Sequence, residues 1–150
     1  MSNITKFEKK DVQGIEFYVS NDGTQSGMSV SGLARLCGIT QGAMSNLLRS
    51  ISDISKTVPK SLEALRGKEL SPSGNHNWEA PRVIFADVCA SIIEYYAFES
   101  RAKSQQALEA YRQFAKVGIH TWILHTTGFT SSQGKELEPL ATKTLLLALT

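Results

Sequence analysis

The chain has two cysteines and three histidines, too few and too scattered for a metal centre. His120 and His125 stand five apart, which puts them about 140° apart around a helix, and no carboxylate or thiol completes a ligand set. Cys37 and Cys89 both fall at apolar helical positions and read as reduced core thiols rather than a disulfide framework. No Gly-x-Ser-x-Gly elbow is present, and Gly67-Lys68 lacks the flanking residues of a phosphate loop. Catalysis, metals and cofactors are therefore not expected. The one strongly apolar run, Leu145 to Leu149, is far too short to span a bilayer, and MSNITKFEKK has no apolar signal core. These absences predict a cytoplasmic protein with no membrane partner. Net charge is only +2, which excludes a histone-like polycation.

What is present is concentrated in residues 31–49. Ser31 is placed to cap a short helix whose inward stripe is Leu33, Ala34 and Cys37. Ala34 is small enough for a second helix to cross closely, Gly38 suits a sharp turn at positive φ, and Ile39 plugs the corner. Thr40 then caps a second helix with Met44, Leu47 and Leu48 turned inward. Its outward residues are expected to be Gln41, Gly42, Ser45, Asn46 and Arg49. Ala and Gly at this spacing also arise in plain helical hairpins. The small, amide-rich outer face favours a helix-turn-helix that reads base edges in a major groove. On that reading Gln41, Ser45 and Asn46 contact bases, while Gly42 permits close approach to a phosphate. Thr40, Arg49, Lys56 and Lys60 hold phosphates. From Ser31 to Lys68 six basic residues (Arg35, Arg49, Lys56, Lys60, Arg66, Lys68) face two acidic ones (Asp53, Glu63), a modest electrostatic footprint for DNA.

Around this motif the pattern predicts an α+β fold. Val12-Gln13-Gly14 and Asn21-Asp22-Gly23 are turn signals that bracket a β-rich run, Ile15 to Val19, giving an N-terminal hairpin. Gly27 to Val30 is a candidate third strand. Ser61 is placed to cap a short helix over Leu62–Arg66. Residues 68–70 and 78–84 look extended about a polar loop, a candidate wing. Two longer helices follow over 85–128. The first carries Phe85, Val88, Cys89, Ile92, Ile93 and Tyr96, and the second starts near Ser104 and closes at Gly128. A DNA-binding domain is thus expected over 1–129, with a linker and short apolar tail over 130–150. Arg101, Lys103, Arg112 and Lys116 add basic residues around the long helix, by default a solvated face. Tyr111, Phe114 and Trp122 lie on more than one side of that helix. With Leu145–Leu149, they predict a homodimer.

Three stretches, Ile15-Glu16-Phe17-Tyr18-Val19, Leu33-Ala34-Arg35-Leu36-Cys37-Gly38 and Ala110-Tyr111-Arg112-Gln113-Phe114 with Thr127-Gly128-Phe129, follow one another in a familiar order. In that order the chain resembles the N-terminal DNA-binding domains of the KilA and Bro type, found in phage antirepressors and large DNA viruses. It departs from their pattern at the insertion Asn21–Met28 and at Trp122, where the family's tryptophan would lie near Phe114. The resemblance implies sequence-specific binding of double-stranded DNA by a transcriptional regulator of phage or mobile-element type. It also implies an alternative, an antirepressor-like module with a protein partner, which inactivates a repressor without touching DNA.

Overall fold

The computed structural model describes residues 6–74 and 77–128. The expected linker and apolar tail, including Leu145–Leu149, lie outside these residues, as does His76. The chain divides into two compact units, residues 1–108 and 109–150. The fold is α+β: a four-stranded antiparallel sheet, with two α-helices and a 3-10 helix between its third and fourth strands and further helices after the fourth.

In the first unit, strands β1 (Phe7–Val12) and β2 (Ile15–Ser20) join through Gln13 and Gly14 at φ 53° and 81°. Two consecutive positive φ values match the right-handed twist of the strands and set Val12 opposite Ile15. β2 continues to β3 (Ser26–Ser29) through a turn organised by Asp22. Its carboxylate accepts from Ser20 Oγ at 2.7 Å, Thr24 Oγ1 at 2.8 Å and the Thr24 N–H at 3.1 Å. The Ser20 bond, followed by those from Thr24, pulls the Asp22 carboxyl from an ordinary 3.8 down to about 2. A depressed carboxyl stabilises the fold fully above its unfolded pKa, and that contribution fades as pH falls through the folded value. Asp22→Asn is therefore expected to narrow the gap between unfolding midpoints measured at about pH 5 and about pH 2.5. An equal gap in parent and variant would remove the turn from the acid response.

β3 runs directly into helix α1 (Val30–Cys37), and Ser29 serves as its cap, accepting from the Gly32 N–H at 2.9 Å. The cap lies two residues before the expected Ser31, because the strand's last residue already has the extended backbone a cap needs. Gly38 closes the helix at φ 72°, ψ 30°. Its N–H reaches the Arg35 carbonyl at 3.1 Å, and that of Ile39 reaches Ala34 at 3.0 Å, a Schellman closure. Thr40 then caps helix α2 (Gln41–Ser52), accepting from the Ala43 N–H at 3.1 Å. Leu33, Ala34 and Cys37 of α1 and Met44, Leu48 and Ile51 of α2 are buried; Leu47, expected inward, is only half-buried.

Arg66 completes α2 from outside the helix. Its guanidinium donates to the carbonyls of Ser50, Ile51, Asp53, Ile54 and Lys56, some of which the helix end leaves without partners. The expected short helix is a 3-10 helix over Lys60–Leu65. Ser61 does not cap it; Glu99 does, accepting from the N–H groups of Lys60 and Ser61 at 2.8 Å each.

The candidate wing does not form. Only Val83–Phe85 is a strand, β4, and it pairs with β3, Met28 opposite Ile84. Lys68–Leu70 is not a strand, although the Phe85 N–H of β4 donates to the Leu70 carbonyl at 3.1 Å. The reason lies in burial. Leu70 and Trp78 are core residues, so both ends of the segment are seated in the body instead of pairing with each other as a flap. β4 leads into helix α3 (Ala86–Glu94), which loosens into a π-helical turn at Tyr95–Glu99. Helix α4 (Gln105–Thr126) starts beyond Ser104, whose Oγ accepts from the Ala107 N–H at 3.1 Å.

In the second unit the described residues are the continuation of α4 from Glu109 and its closing turn, where Gly128 has φ 83°. Ile119, Trp122 and Ile123 are 60 %, 66 % and 47 % exposed there.

Candidate nucleic-acid interface

A helix capped by Thr40 and buried through Met44, Leu48 and Ile51 must present the opposite side outward. Successive residues turn by about 100°, so that side carries Gly42, Asn46 and Arg49, with Ala43 and Ser50 at its margin. Gly42, Ala43, Asn46 and Arg49 are exposed, as is Thr40 at the helix start. A side chain at Gly42 would meet nothing within 4 Å, so this first turn is open to a close-approaching surface. Its free N–H groups and the positive end of the helix dipole suit a phosphate oxygen. Arg49 Nη1 donates to Asn46 Oδ1 at 2.5 Å, which holds the amide with its NH2 group turned away from the arginine.

Two expected readers are placed differently. Ser45 is not outward: it is 3 % exposed, and its Oγ donates to the Trp78 carbonyl at 2.7 Å. Trp78 covers that flank of α2, and a buried hydroxyl must find a partner there. Ser45 is therefore withdrawn as a base contact. Gln41 is half-buried, and its Nε2 donates to Ser45 Oγ at 2.6 Å and reaches the Trp78 carbonyl at 3.5 Å.

The loop that carries Trp78 is held by Arg82. Its guanidinium lies 4.4 Å from the centre of the Trp78 ring and donates to Ser71 Oγ, the Asn77 carbonyl and the Gly74 carbonyl. Burial lowers its pKa somewhat, opposed by the charge of Glu79.

Among the expected phosphate contacts, Thr40 is exposed at the start of α2 and Arg49 on its outer side. Lys56 is exposed in the loop after α2, its carbonyl tied by Arg66 to the same guanidinium that holds the helix end. Lys60 is exposed on the 3-10 helix, where its N–H donates to Glu99. Arg66, counted in the positive block, is turned onto backbone carbonyls and serves the fold. Asp53 stands at the end of α2, and the Ser55 hydroxyl and N–H hold its carboxyl below the ordinary range.

Ala43 was not among the expected readers. Its place one residue from Gly42 and three from Asn46 is the signal that finds it, and an exposed methyl suits a thymine methyl group. The thiols offer no chemistry: burial raises Cys37 to about 12 and raises Cys89 as well. Among the described residues no group of three His, Cys, Asp or Glu could hold a metal ion, and no helix is long and apolar enough to cross a membrane. No family model, no curated protein and no solved structure matches the chain.

Proposed function

We propose that this protein binds double-stranded DNA sequence-specifically as a cytoplasmic transcriptional regulator, inserting α2 into a major groove, and acts as a binder rather than a catalyst. The observation that supports this most is the outer face of α2: an open first turn at Thr40–Gly42 beside an Asn46–Arg49 pair, on a helix rigidly closed onto α1. Asn46 and Arg49 present donors, which suit the O6 and N7 acceptors of guanine. Thr40 and Lys56 fix register through phosphates. One helix covers few base pairs, so two copies on a two-fold site would supply the specificity. The exposed Ile119, Trp122 and Ile123 of α4 are the surface proposed for that homodimer.

The test is binding to duplexes selected from a random pool, measured across salt. Affinity is expected to fall steeply as salt rises. Asn46→Ala is expected to cost about 1–3 kcal/mol on the selected site and to relax discrimination at one or two base pairs. A partner bound with little salt dependence, and no enriched duplex, would instead support the antirepressor-like, protein-binding alternative.

A further inference from the structure

The Ser45–Trp78 bond fixes which end of the Gln41 amide faces outward. Ser45 has one hydroxyl hydrogen, and at 2.7 Å from the Trp78 carbonyl it is committed there, because a carbonyl only accepts. Ser45 Oγ can then only accept from its second neighbour, 2.6 Å away on Gln41. That neighbour must be the donor Nε2, whose other hydrogen lies toward the same Trp78 carbonyl at 3.5 Å. Nε2 is thus turned inward, and Oε1 is left as the outward atom of the amide. It accepts from no group among the described residues.

The clamp is not a loose surface contact. Trp78 and Ser45 are both buried, and Arg82 braces the loop that carries Trp78. A freely turning glutamine pairs with adenine through both of its atoms, Nε2 to N7 and Oε1 to the N6 amine. Here the first of these is withheld.

We propose that Gln41 is a specificity-determining residue that offers DNA a single hydrogen-bond acceptor, and so selects a base with an exocyclic amine, adenine or cytosine, on the strand it faces. This rests on the DNA-binding reading above. Guanine and thymine present only acceptors in the major groove, and an acceptor facing an acceptor is repelled. Ser45 and Trp78 act as positioning residues: they touch no base and set the polarity of the one that does.

The experiment selects duplexes from a random pool with the full chain and with Gln41→Ala and Ser45→Ala. At one position the parent is expected to favour pairs with adenine or cytosine on one strand over the same pairs reversed, on the order of tenfold. Gln41→Ala should lose that preference there and keep the others. Ser45→Ala removes one of the two acceptors that hold Nε2 inward, so the reversed pair should be better tolerated at the same position. Where adenine is selected, 7-deazaadenine in its place should bind the parent within about twofold, because N7 is not used. The parent pool and the 7-deazaadenine measurement need no variant to fold. A Gln41-dependent position that accepts both orientations of a base pair equally, a roughly tenfold loss with 7-deazaadenine, or a selected motif that Gln41→Ala leaves unchanged would overturn the acceptor assignment while DNA binding stood. A parent pool without any motif would overturn both.

Discussion

Met44→Ala is expected to lower the unfolding free energy of the chain by about 2–5 kcal/mol. Met44 is fully buried on the inner side of α2, among the largest side chains with no exposure, alongside Leu33 and Leu48. Truncation loses the transfer free energy of three heavy atoms beyond Cβ and leaves a hole that the helix pair only partly closes, since Gly38 and Thr40 pin the turn between the helices. Met44→Leu nearly conserves volume and should cost less than about 1.5 kcal/mol. Urea unfolding checks both through midpoints at constant slope. An alanine variant within about 1 kcal/mol of the parent would mean that α2 is not seated on its core through this residue. On the DNA-binding reading proposed above, the same variant would also lose specific affinity, because a helix that shifts by an ångström no longer presents Asn46 and Arg49 together.

Gly27→Ala is expected to be nearly as damaging, by about 3 kcal/mol, for the opposite reason. Gly27 is buried in β3 opposite Phe85 of β4. A methyl group there would sit 2.1 Å from the Ile84 carbonyl oxygen and 2.9 Å from its carbon. These are backbone atoms of the neighbouring strand, so no side chain can turn aside to make room. β3 and β4 must part, which disturbs the ladder and the fully buried Ile84. Denaturation gives the magnitude, and faster amide exchange across Val83–Phe85 gives the location. Unchanged exchange there would contradict the close approach.

The helix-turn-helix was legible because its determinants are chemistry at single positions. A glycine at φ 72° and a threonine whose Oγ1 accepts from the Ala43 N–H leave a local mark that needs no partner from elsewhere. The α+β order was legible from periodicity for the same reason. Ser45 was not, because the flank of α2 it occupies is covered by Trp78, 33 positions later. A helical wheel shows which residues lie together and cannot show what docks beside them. The strand at Val83–Phe85 announced itself as a strand but not its neighbour, so a distant pairing with β3 was read as a local flap. Arg66 counted as surface charge because a guanidinium has the same letter whether it faces water or five carbonyls. The Ser45 and β4 misses are contacts across long sequence separation, whereas the shift of the α1 cap from Ser31 to Ser29 is a local one.

Met28 and Ile84 face each other across the sheet although 56 positions separate them, and the helix-turn-helix lies wholly within that interval. Closing so large a loop costs chain entropy before any ladder bond repays it, whereas β1, β2 and β3 pair through short local turns. During folding the three-stranded meander should therefore assemble early, and β4 should join late. The α2 face would acquire its final orientation only when that last strand and the loop carrying Trp78 arrive. A fragment ending before Leu70 would accordingly contain all of α2 and still lack the Trp78 carbonyl that clamps its flank.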